Sequence, residues 1–367
     1  MDLGTGILVL AASLGLLAGL AYAAYLAAHL LGWLRLRRYP TAPPNAIPPI
    51  SILVPARNEG QNLGACLAAV QQQPGPWEVW VIDDESEDDT YPIARAFAQA
   101  DSRIQVLRSK GGKKQALSRG IQAARHAWIV TLDADCVAGS TWLCSLAAYL
   151  QPGCSLVAGP VQLAGSGPLA RLLAAEQAGL MVLSGGAFGL GCPGMSNGGN
   201  LAFRKTAWES VGGYTAHAHL SSGDDMLLLQ QLVQAGHQVA YCPLPGAAVR
   251  TQPPAGLAGL AQQRRRWLSK SRAYRNPLLT GGALGLLGFW LFLPALLWWH
   301  PSLALLLWGA KAGLELSLCV AGRSFGSAPG ALRAFPLLQL LQPLYVLWAG
   351  AQQLRPRAFS WKNRVLR

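Results

Sequence analysis

Charged residues are scarce in this sequence. They make up 13% of the 367 residues, whereas apolar residues make up 51%. So low a charge content argues against an ordinary soluble domain and indicates membrane segments. Paired cysteines are lacking as well, because the seven cysteines are scattered, odd in number and free of any C-x-x-C spacing. This pattern argues against a disulfide framework or a cysteine zinc site and is typical of a reducing compartment.

Acidic residues are fewer than basic residues: 17 Asp and Glu stand against 30 Lys and Arg, which gives a net charge of +13. The basic residues cluster beside apolar tracts, at 35–38 and 264–275. Such clusters are typical of the cytoplasmic flanks of membrane spans and argue against nucleic acid as a partner. The segment 110–117 does not fit the P-loop spacing, which argues against an ATPase. Its glycines, helix start and lysines do favour a phosphate site.

Three apolar tracts predict membrane spans. Residues 7–34 are long enough to cross a bilayer, with Asp2 before them and arginines after them. This charge order is the reverse of a secretory signal, so we expect an uncleaved anchor with its N-terminus outside. Residues 278–299 and 303–320 predict two more spans. The tract 335–354 is interrupted by proline and glutamine, and spanning would put the basic C-terminus outside. We therefore expect an interfacial or re-entrant helix there.

Between these tracts, short β-type runs alternate with Ala-rich helical stretches. The runs lie at 50–54, 77–82, 103–107 and 128–132, and each ends in polar residues. The alternation predicts an α/β fold, a mostly parallel, Rossmann-like sheet with helices on both faces. Ligands bind at the carboxyl ends of such strands. The predicted organisation is an anchor at 1–35, a Pro-rich linker at 36–49, a catalytic domain at 50–275, transmembrane or interfacial helices at 276–354 and a basic cytoplasmic tail at 355–367.

Two acidic motifs follow predicted strands. Asp83 opens the acidic run 83–89, where its carboxylate can accept an N–H of a nucleotide base. The alternative is a helix N-cap with an acidic first turn. Asp133 and Asp135 stand at alternate positions after another strand, where unpaired burial would be costly. Hard oxygen ligands suit Mg²⁺ or Mn²⁺ bridging to a nucleotide diphosphate, and the alternative is a capped turn.

Three further motifs lie downstream. Asp224 and Asp225 precede a predicted helix, and adjacent carboxylates tend to raise one pKa, as a general base requires. A plain N-cap pair would also explain them. The glycine-rich loop 196–200 lets backbone approach a ligand closely. The cluster 263–267, Gln-Arg-Arg-Arg-Trp, offers guanidinium groups to a diphosphate and an indole to a sugar or acceptor. The alternative is a membrane-proximal basic cluster.

Together these motifs resemble those of family 2 glycosyltransferases of the GT-A fold, in their membrane-anchored, lipid-modifying and processive-synthase-like branch. The resemblance covers residues 50–267 and the flanking tracts. It implies that Asp133 and Asp135 form a D-x-D motif that takes the metal, and that Asp225, beside Asp224, is the general base. The implied diphosphate and acceptor residues are Gln263, Arg264, Arg266 and Trp267. The expected donor-binding residues are Pro55, Ala56, Arg57, Glu59, Asp83, Lys113, Asp133 and Asn200.

The resemblance implies inverting transfer of a sugar, with UDP the expected nucleotide, to a hydroxyl of a membrane lipid at the cytoplasmic face of the cell (inner) membrane. One departure is that Gly223-Asp224-Asp225 stands where the family often has Thr-Glu-Asp. Few spans favour lipid transfer over polymer synthesis. The Leu-bearing stretch 168–183 is either a helix that rests on the membrane and guides a lipid, or a core helix. The alternatives are a polymerising synthase with partner subunits and a catalytically silent nucleotide-sugar-binding protein.

Overall fold

The computed structural model describes residues 2–37, 47–217, 220, 223–326, 328, 330–354, 359–361 and 364–366. Residues 38–46, most of the predicted Pro-rich linker, lie outside the described residues, as do seven residues of the predicted basic tail.

Helices and strands are numbered along the chain. The helices are α1 (Leu3–Arg37), α2 (Leu63–Gln71), α3 (Thr90–Ala100), α4 (Lys113–Ala123), α5 (Trp142–Ala147), α6 (Pro168–Gly189), α7 (Lys205–Ser210), α8 (Asp224–Gln234), α9 (Gly256–Leu268), α10 (Pro277–Trp299), α11 (Pro301–Gly322) and α12 (Phe335–Leu354). The strands are β1 (Ile50–Ala56), β2 (Trp77–Asp83), β3 (Ile104–Arg108), β4 (Trp128–Thr131), β5 (Cys136–Ala138), β6 (Cys154–Ala158), β7 (Val161–Leu163), β8 (Leu201–Arg204), β9 (Gln238–Tyr241), β10 (Val249–Thr251), β11 (Phe359–Trp361) and β12 (Arg364–Leu366).

The central sheet has the order β3-β2-β1-β4-β8-β6-β9. The four strands predicted from sequence form its parallel half, with β1 between β2 and β4. Strand β8 runs antiparallel to both of its neighbours, so the sheet is mixed. A smaller sheet, β5-β10-β7, lies beside it, and β11 pairs with β12. The α/β class is confirmed, and the reversal at β8 is the departure from a parallel sheet.

The register of the parallel half brings the polar strand ends together. Ala56 pairs with Asp83 across β1 and β2, and Leu53 pairs with Thr131 across β1 and β4. Strand β1 is buried along almost its whole length, as expected for a parallel strand covered on both faces. The residues that follow β1, β2 and β4 therefore share one edge of the sheet.

The first helix is packed into the rest of the protein. Trp33 of α1 is only 1% exposed and belongs to the core on one face of the sheet, edge-on to Tyr241 of β9 and to Phe325. Glycines let α1 and α6 touch backbone to backbone, since a Cβ on Gly186 would collide with the carbonyl of His29. The anchor predicted from sequence is thus also a wall of the α/β unit.

Among the described residues, five helical segments are long and apolar enough to cross a membrane: Leu3–Leu36, Pro168–Gly189, Pro277–Trp299, Pro301–Phe325 and Ala331–Gln353. The predicted tracts at 7–34, 278–299 and 303–320 are helical as expected. Helix α6 differs from the others, because 67% of its most apolar window is buried inside the protein, against 33% or less elsewhere. This burial supports the core-helix alternative for 168–183.

A buried polar cluster joins α11 to α12. The ammonium of Lys311 donates to Glu315, 2.8 Å away, and to Gln339, 3.0 Å away. The amide of Gln342 donates to Glu315 at 3.0 Å, and the hydroxyl of Tyr22 reaches the same carboxylate at 3.1 Å. The glutamines that interrupt the apolar tract 335–354 are therefore the partners of a buried ion pair, which explains their place in that tract.

Candidate active site

Asp83, the last residue of β2, is fully buried. Its Oδ1 accepts a hydrogen bond from the amide of Ser86 at 3.4 Å, and the Arg108 guanidinium lies 3.7 Å from Oδ2. Among the described residues, Oδ2 has no hydrogen-bond donor. A buried carboxylate oxygen left without a donor is costly unless a ligand supplies one. Asp88, and not Asp83, accepts from the amide of Thr90, the first residue of α3, at 3.0 Å.

The loop after β1 folds against the loop after β2. The Arg57 guanidinium donates to the carbonyl of Asp84 at 2.7 Å, and the amide of Glu59 donates to Thr90 Oγ1 at 2.7 Å. The amide of Asp84 in turn donates to the carbonyl of Ala56 at 2.9 Å. The predicted donor-binding residues from Pro55 to Glu59 therefore lie together with Asp83 at one edge of the sheet.

Lys113 connects two acidic motifs that are far apart in sequence. It is the first residue of α4, and its ammonium lies 2.6 Å from Asp133 Oδ1 and 3.5 Å from Asp224 Oδ2. Burial by itself disfavours the charged form, but Asp133 and Asp224 outweigh that effect and raise the pKa of Lys113. Lys113 is thus a fixed cation between the two carboxylates.

Asp133 and Asp135 lie in the short turn between β4 and β5. Asp133 accepts a hydrogen bond from Lys113, whereas the Asp135 carboxylate accepts a long one from the thiol of Cys136, 3.6 Å away. No group of three or more His, Cys, Asp or Glu suited to a metal occurs among the described residues. A hard cation such as Mg²⁺ is commonly held by one or two carboxylates plus substrate phosphates. This pair fits a cation that takes its other ligands from a diphosphate.

Asp224 and Asp225 open helix α8 but have different surroundings. Asp224 is buried and pairs with Lys113, and although burial raises its pKa, Lys113 and Lys270 outweigh this and lower it. The predicted raised pKa is therefore not found at Asp224. Asp225 is half-buried, and its Oδ2 accepts from the amide of Gly198 at 2.9 Å. Its Oδ1 accepts from the amide of Met226 at 2.7 Å, so the carboxylate is oriented by backbone.

The glycine-rich loop passes between the acidic motifs. A Cβ on Gly198 would lie 3.0 Å from Asp224 Oδ2, and one on Gly199 would lie 3.1 Å from Asp133 Oδ2, so only glycine fits comfortably. Asn200 ends the loop, but its side chain is fully buried and donates to the carbonyls of Pro160 and Ala247. The Asn200 side chain therefore holds the loop to the chain behind it, and its donor-binding role stays a prediction.

The cluster 263–267 lies on α9, and its arginines differ. Arg264 is buried, forms an ion pair with Glu176 of α6 and lies 4.6 Å from the ring centre of Trp267. These contacts show that the Arg264 guanidinium ties α9 to α6, and its role as a diphosphate ligand stays a prediction. Gln263, Arg266 and Trp267 are half-buried. The Arg266 guanidinium has no ion pair or hydrogen bond with any described residue, which leaves it available to an anion.

Lys270 is a site residue that the sequence reasoning treated only as part of a basic flank. Burial lowers its pKa, Asp225 and Asp224 raise it, and Arg266 and Lys113 lower it again, with a lowered pKa as the result. Its side chain also packs against Gly223, where a Cβ would lie 3.0 Å from Lys270 Cδ. The signal that could have identified it is its position four residues after Arg266, one helical turn away.

A mixed α/β sheet with acidic residues after β2 and β4, beside the acidic pair that opens α8, has the arrangement of a GT-A-like fold. The model of glycosyl transferase family group 2 matches residues 128–348, and that of glycosyl transferase family 2 matches residues 51–204. The chain belongs to the family 2 glycosyltransferases and is an enzyme of that class.

Three curated relatives and one solved structure resemble the chain. Glycosyltransferase AglE of Haloferax volcanii is 35% identical over 104 residues, 27% of this chain and 34% of that protein. Beta-monoglucosyldiacylglycerol synthase of Trichormus variabilis is 34% identical over 124 residues, 31% and 26% of the two chains. Dodecaprenyl-phosphate galacturonate synthase of Rhizobium johnstonii is 34% identical over 93 residues, which are 23% of this chain and 28% of that protein. The chain thus spans about a third or less of these relatives' length.

The solved structure is mannosyltransferase PcManGT from Pyrobaculum calidifontis, in complex with GDP-Man and Mn²⁺. It superposes with a TM-score of 0.58 at 19% identity, over 94% of this chain and 99% of that one. The likeness covers the helical segments at both ends as well as the α/β unit, and at this identity it shows a shared fold.

Proposed function

We propose that this enzyme moves a sugar from a nucleotide donor, a UDP-sugar, to a hydroxyl of a membrane lipid, with inversion at the anomeric carbon. The observation that carries the proposal is the position of the Lys113 ammonium, 2.6 Å from Asp133 and 3.5 Å from Asp224. Through this contact the D-x-D turn and the second acidic pair belong to one site, as a single displacement requires.

Asp225 is the proposed general base. It receives the proton of the acceptor hydroxyl while the acceptor oxygen forms a bond to the anomeric carbon. The bond from that carbon to the phosphate oxygen breaks, and the nucleoside diphosphate leaves with the electron pair. The backbone hydrogen bonds from Gly198 and Met226 support this role, because they aim a carboxylate that is still half-exposed. Asp224 is buried against Lys113 and positions that lysine.

The donor lies along the shared strand edge in this proposal. The unmatched Oδ2 of Asp83 would accept the N–H of the base, with Pro55, Ala56, Arg57 and Glu59 beside it. The leaving diphosphate would contact Arg266, Gln263 and Trp267. Asp135, with Asp133, would hold Mg²⁺ or Mn²⁺. Such an ion, when bound, neutralises charge on the diphosphate, and the Mn²⁺ in the mannosyltransferase structure supports its presence.

The membrane setting is supported by the apolar helices and by two relatives. One relative is named for diacylglycerol and another for dodecaprenyl phosphate, so lipid acceptors occur among similar proteins. We place α1, α10 and α11 across the cell (inner) membrane, with α12 at its cytoplasmic surface and α6 largely buried within the protein. The basic flanks at 35–38 and 264–275 support a cytoplasmic site. Gln353 near the end of α12 donates to the carbonyl of Leu268, which keeps the C-terminal segment beside α9.

The proposal is tested with membranes that contain this chain, incubated with a panel of UDP-sugars and analysed by lipid mass spectrometry. The expected product is a membrane lipid heavier by one sugar, absent from membranes with Asp225→Asn. A ladder of products would support a polymerising synthase instead. Donor consumption without any glycosylated lipid would refute transfer to lipid.

A further inference from the structure

A cavity of about 280 Å³ opens beside the small sheet β5-β10-β7. Its walls are residues 137–141, the turn before β10, Arg250 of β10 and Phe325. The space is far larger than the roughly 30 Å³ that one water takes in the liquid, so it has room for a small polar group. Among the described residues that line it, none is proposed to hold the donor, the metal or the acceptor proton. It is therefore a second cavity, separate from the candidate active site.

Arg250 brings an unpaired positive charge to this cavity. It is exposed, and its guanidinium forms no ion pair or hydrogen bond with any described residue. A Cβ on Gly326 would lie 3.1 Å from a guanidinium nitrogen, so the group lies against the turn that follows Phe325. The exposed hydroxyls of Ser140 and Thr141, also in the walls, have no hydrogen-bond partner among the described residues. A free guanidinium with two free hydroxyls is a donor set that suits phosphate oxygens.

Gln162 of β7 stands beside Arg250 in the small sheet. Arg250 pairs with Val137 of β5 on one side and with Gln162 on the other, and residues paired in this way put their side chains on the same face. Gln162 does not line the cavity and is fully buried, yet among the described residues neither its amide nitrogen nor its amide oxygen has a hydrogen-bond partner. A buried amide without a partner is costly. The face of the sheet that carries Arg250 thus has a second polar group that a ligand there can satisfy.

The cavity lies at the basic ends of two apolar helices. Phe325 is the last residue of the apolar segment Pro301–Phe325, and its ring centre lies 5.7 Å from that of Trp33. Trp33 stands near the end of α1, where Arg35 and Arg37 follow. Basic residues at the end of a membrane span lie at the level of the lipid headgroups. In the membrane setting proposed above, the cavity therefore faces the headgroup phosphates.

We propose that this cavity binds the phosphate group of an anionic lipid headgroup, at a site separate from that of sugar transfer. The Arg250 guanidinium and the hydroxyls of Ser140 and Thr141 donate to the phosphate oxygens, with the amide of Gln162 beside them. None of the described residues that line the cavity is Asp or Glu, so no carboxylate opposes the anion. Strand β5 starts directly after Asp135, so a headgroup bound here holds the strand that follows the D-x-D turn at the membrane surface. The choice of a lipid rests on the membrane setting in the proposed function.

Binding is measured on the full chain purified in detergent, without any sugar donor, by native mass spectrometry. Phosphatidic acid should bind about tenfold more tightly than diacylglycerol with the same acyl chains, because only the first lipid carries the phosphate. Equal binding of the two lipids would overturn the proposal. Soluble glycerol phosphate distinguishes the two sources of the group: weaker binding than that of phosphatidic acid assigns the site to a lipid, and equal binding assigns it to a soluble phosphate ester and overturns the lipid assignment. Loss of sugar transfer with this binding intact would count against the proposed function alone.

Substitutions locate the bound phosphate in the cavity. Arg250→Gln removes the guanidinium and should weaken binding of phosphatidic acid about tenfold. Arg323→Gln is the matched control, because Arg323 is exposed at the same end of α11 but does not line the cavity, so binding should change by less than about twofold.

Equal losses in Arg250→Gln and Arg323→Gln would show attraction to diffuse surface charge and would overturn the proposal, as would unchanged binding in Arg250→Gln. Ser140→Trp fills the cavity from an exposed position and should weaken binding as well, which keeps the test decisive if Arg250→Gln does not fold. Thermal unfolding of each variant verifies that it is folded.

Discussion

Arg264 of α9 and Glu176 of α6 form a buried ion pair. The same guanidinium lies 4.6 Å from the ring centre of Trp267 and 5.2 Å from that of Tyr345 in α12. The helix that carries Arg266 is thereby fixed between two apolar helices. Arg264 therefore holds α9 in place, and in the proposed function Arg266 of the same helix contacts the diphosphate.

Breaking this pair should destabilise the protein. Arg264→Met or Glu176→Gln leaves one charge buried without its partner, so each should cost about 3 kcal/mol. The double variant should recover part of the loss, because no buried charge remains. A double-mutant cycle on the thermal stability of purified enzyme measures this. Arg103→Met, in the exposed pair with Asp101, is the matched control and should cost less than about 1 kcal/mol. Strictly additive single effects at 176 and 264 would contradict the prediction.

Replacing the base should separate chemistry from donor binding. Asp225→Asn keeps the shape of the side chain but cannot take a proton, so kcat should fall by about 10²–10⁴-fold. The donor Kd should stay within about twofold, since Asp225 is bonded to backbone amides and is not a predicted donor contact. Calorimetry gives the Kd and lipid product formation gives kcat. Near-normal turnover in this variant would remove Asp225 from the mechanism.

Metal removal should silence the enzyme reversibly. Asp135 and Asp133 are the carboxylates placed to share a cation with the diphosphate, and such a site is weak without substrate. EDTA should abolish transfer, and added Mg²⁺ or Mn²⁺ should restore it. Asp135→Asn should raise the Mn²⁺ concentration needed for half-maximal rate by at least tenfold. Full activity after exhaustive chelation would exclude the metal.

Lys270 should set an alkaline limit on activity. Burial lowers its pKa, so its ammonium loses its proton at a lower pH than an ordinary lysine does. The positive charge beside Asp225 and Asp224 is present below that pKa and lost as the pH rises through it. The rate should therefore fall on the alkaline side at a lower pH than the titration of an ordinary lysine would give. Lys270→Arg keeps its charge at high pH, so in this variant the alkaline fall in rate should begin at a higher pH. If the rate falls at the same pH as in the unsubstituted enzyme, another titrating group causes the fall.

The sequence predicted the parallel half of the sheet well. Strands β1, β2 and β4 are apolar runs followed by polar residues, and they form where expected. Strands β6, β8 and β9 were not foreseen, because their pairing depends on partners that are distant in sequence. The sequence left α6 either a core helix or a helix that rests on the membrane. It could not decide between them, since an apolar helix packs equally well on protein or lipid.

The sequence predicted the motifs of the candidate site, but it did not predict which side chains contact each other. Spacing identified Asp133, Asp135, Asp224 and Asp225, but no local pattern says that Lys113 bridges two of them. Asn200 and Arg264 were predicted as ligand contacts from their motifs, and no sequence pattern indicated the protein contacts that both side chains make. A polar side chain in a motif can face the ligand or face the core, and only tertiary contacts decide which.

The first helix is part of the folded enzyme, because Trp33 is buried beneath the sheet and glycines of α1 and α6 are in backbone contact. A soluble fragment that begins after the first helix would open a hole beside Tyr241 and bare the apolar face of α6. Such a truncation should aggregate. The first helix also cannot be exchanged for an unrelated hydrophobic tether, because the replacement would need an indole at position 33 and no side chain at position 32.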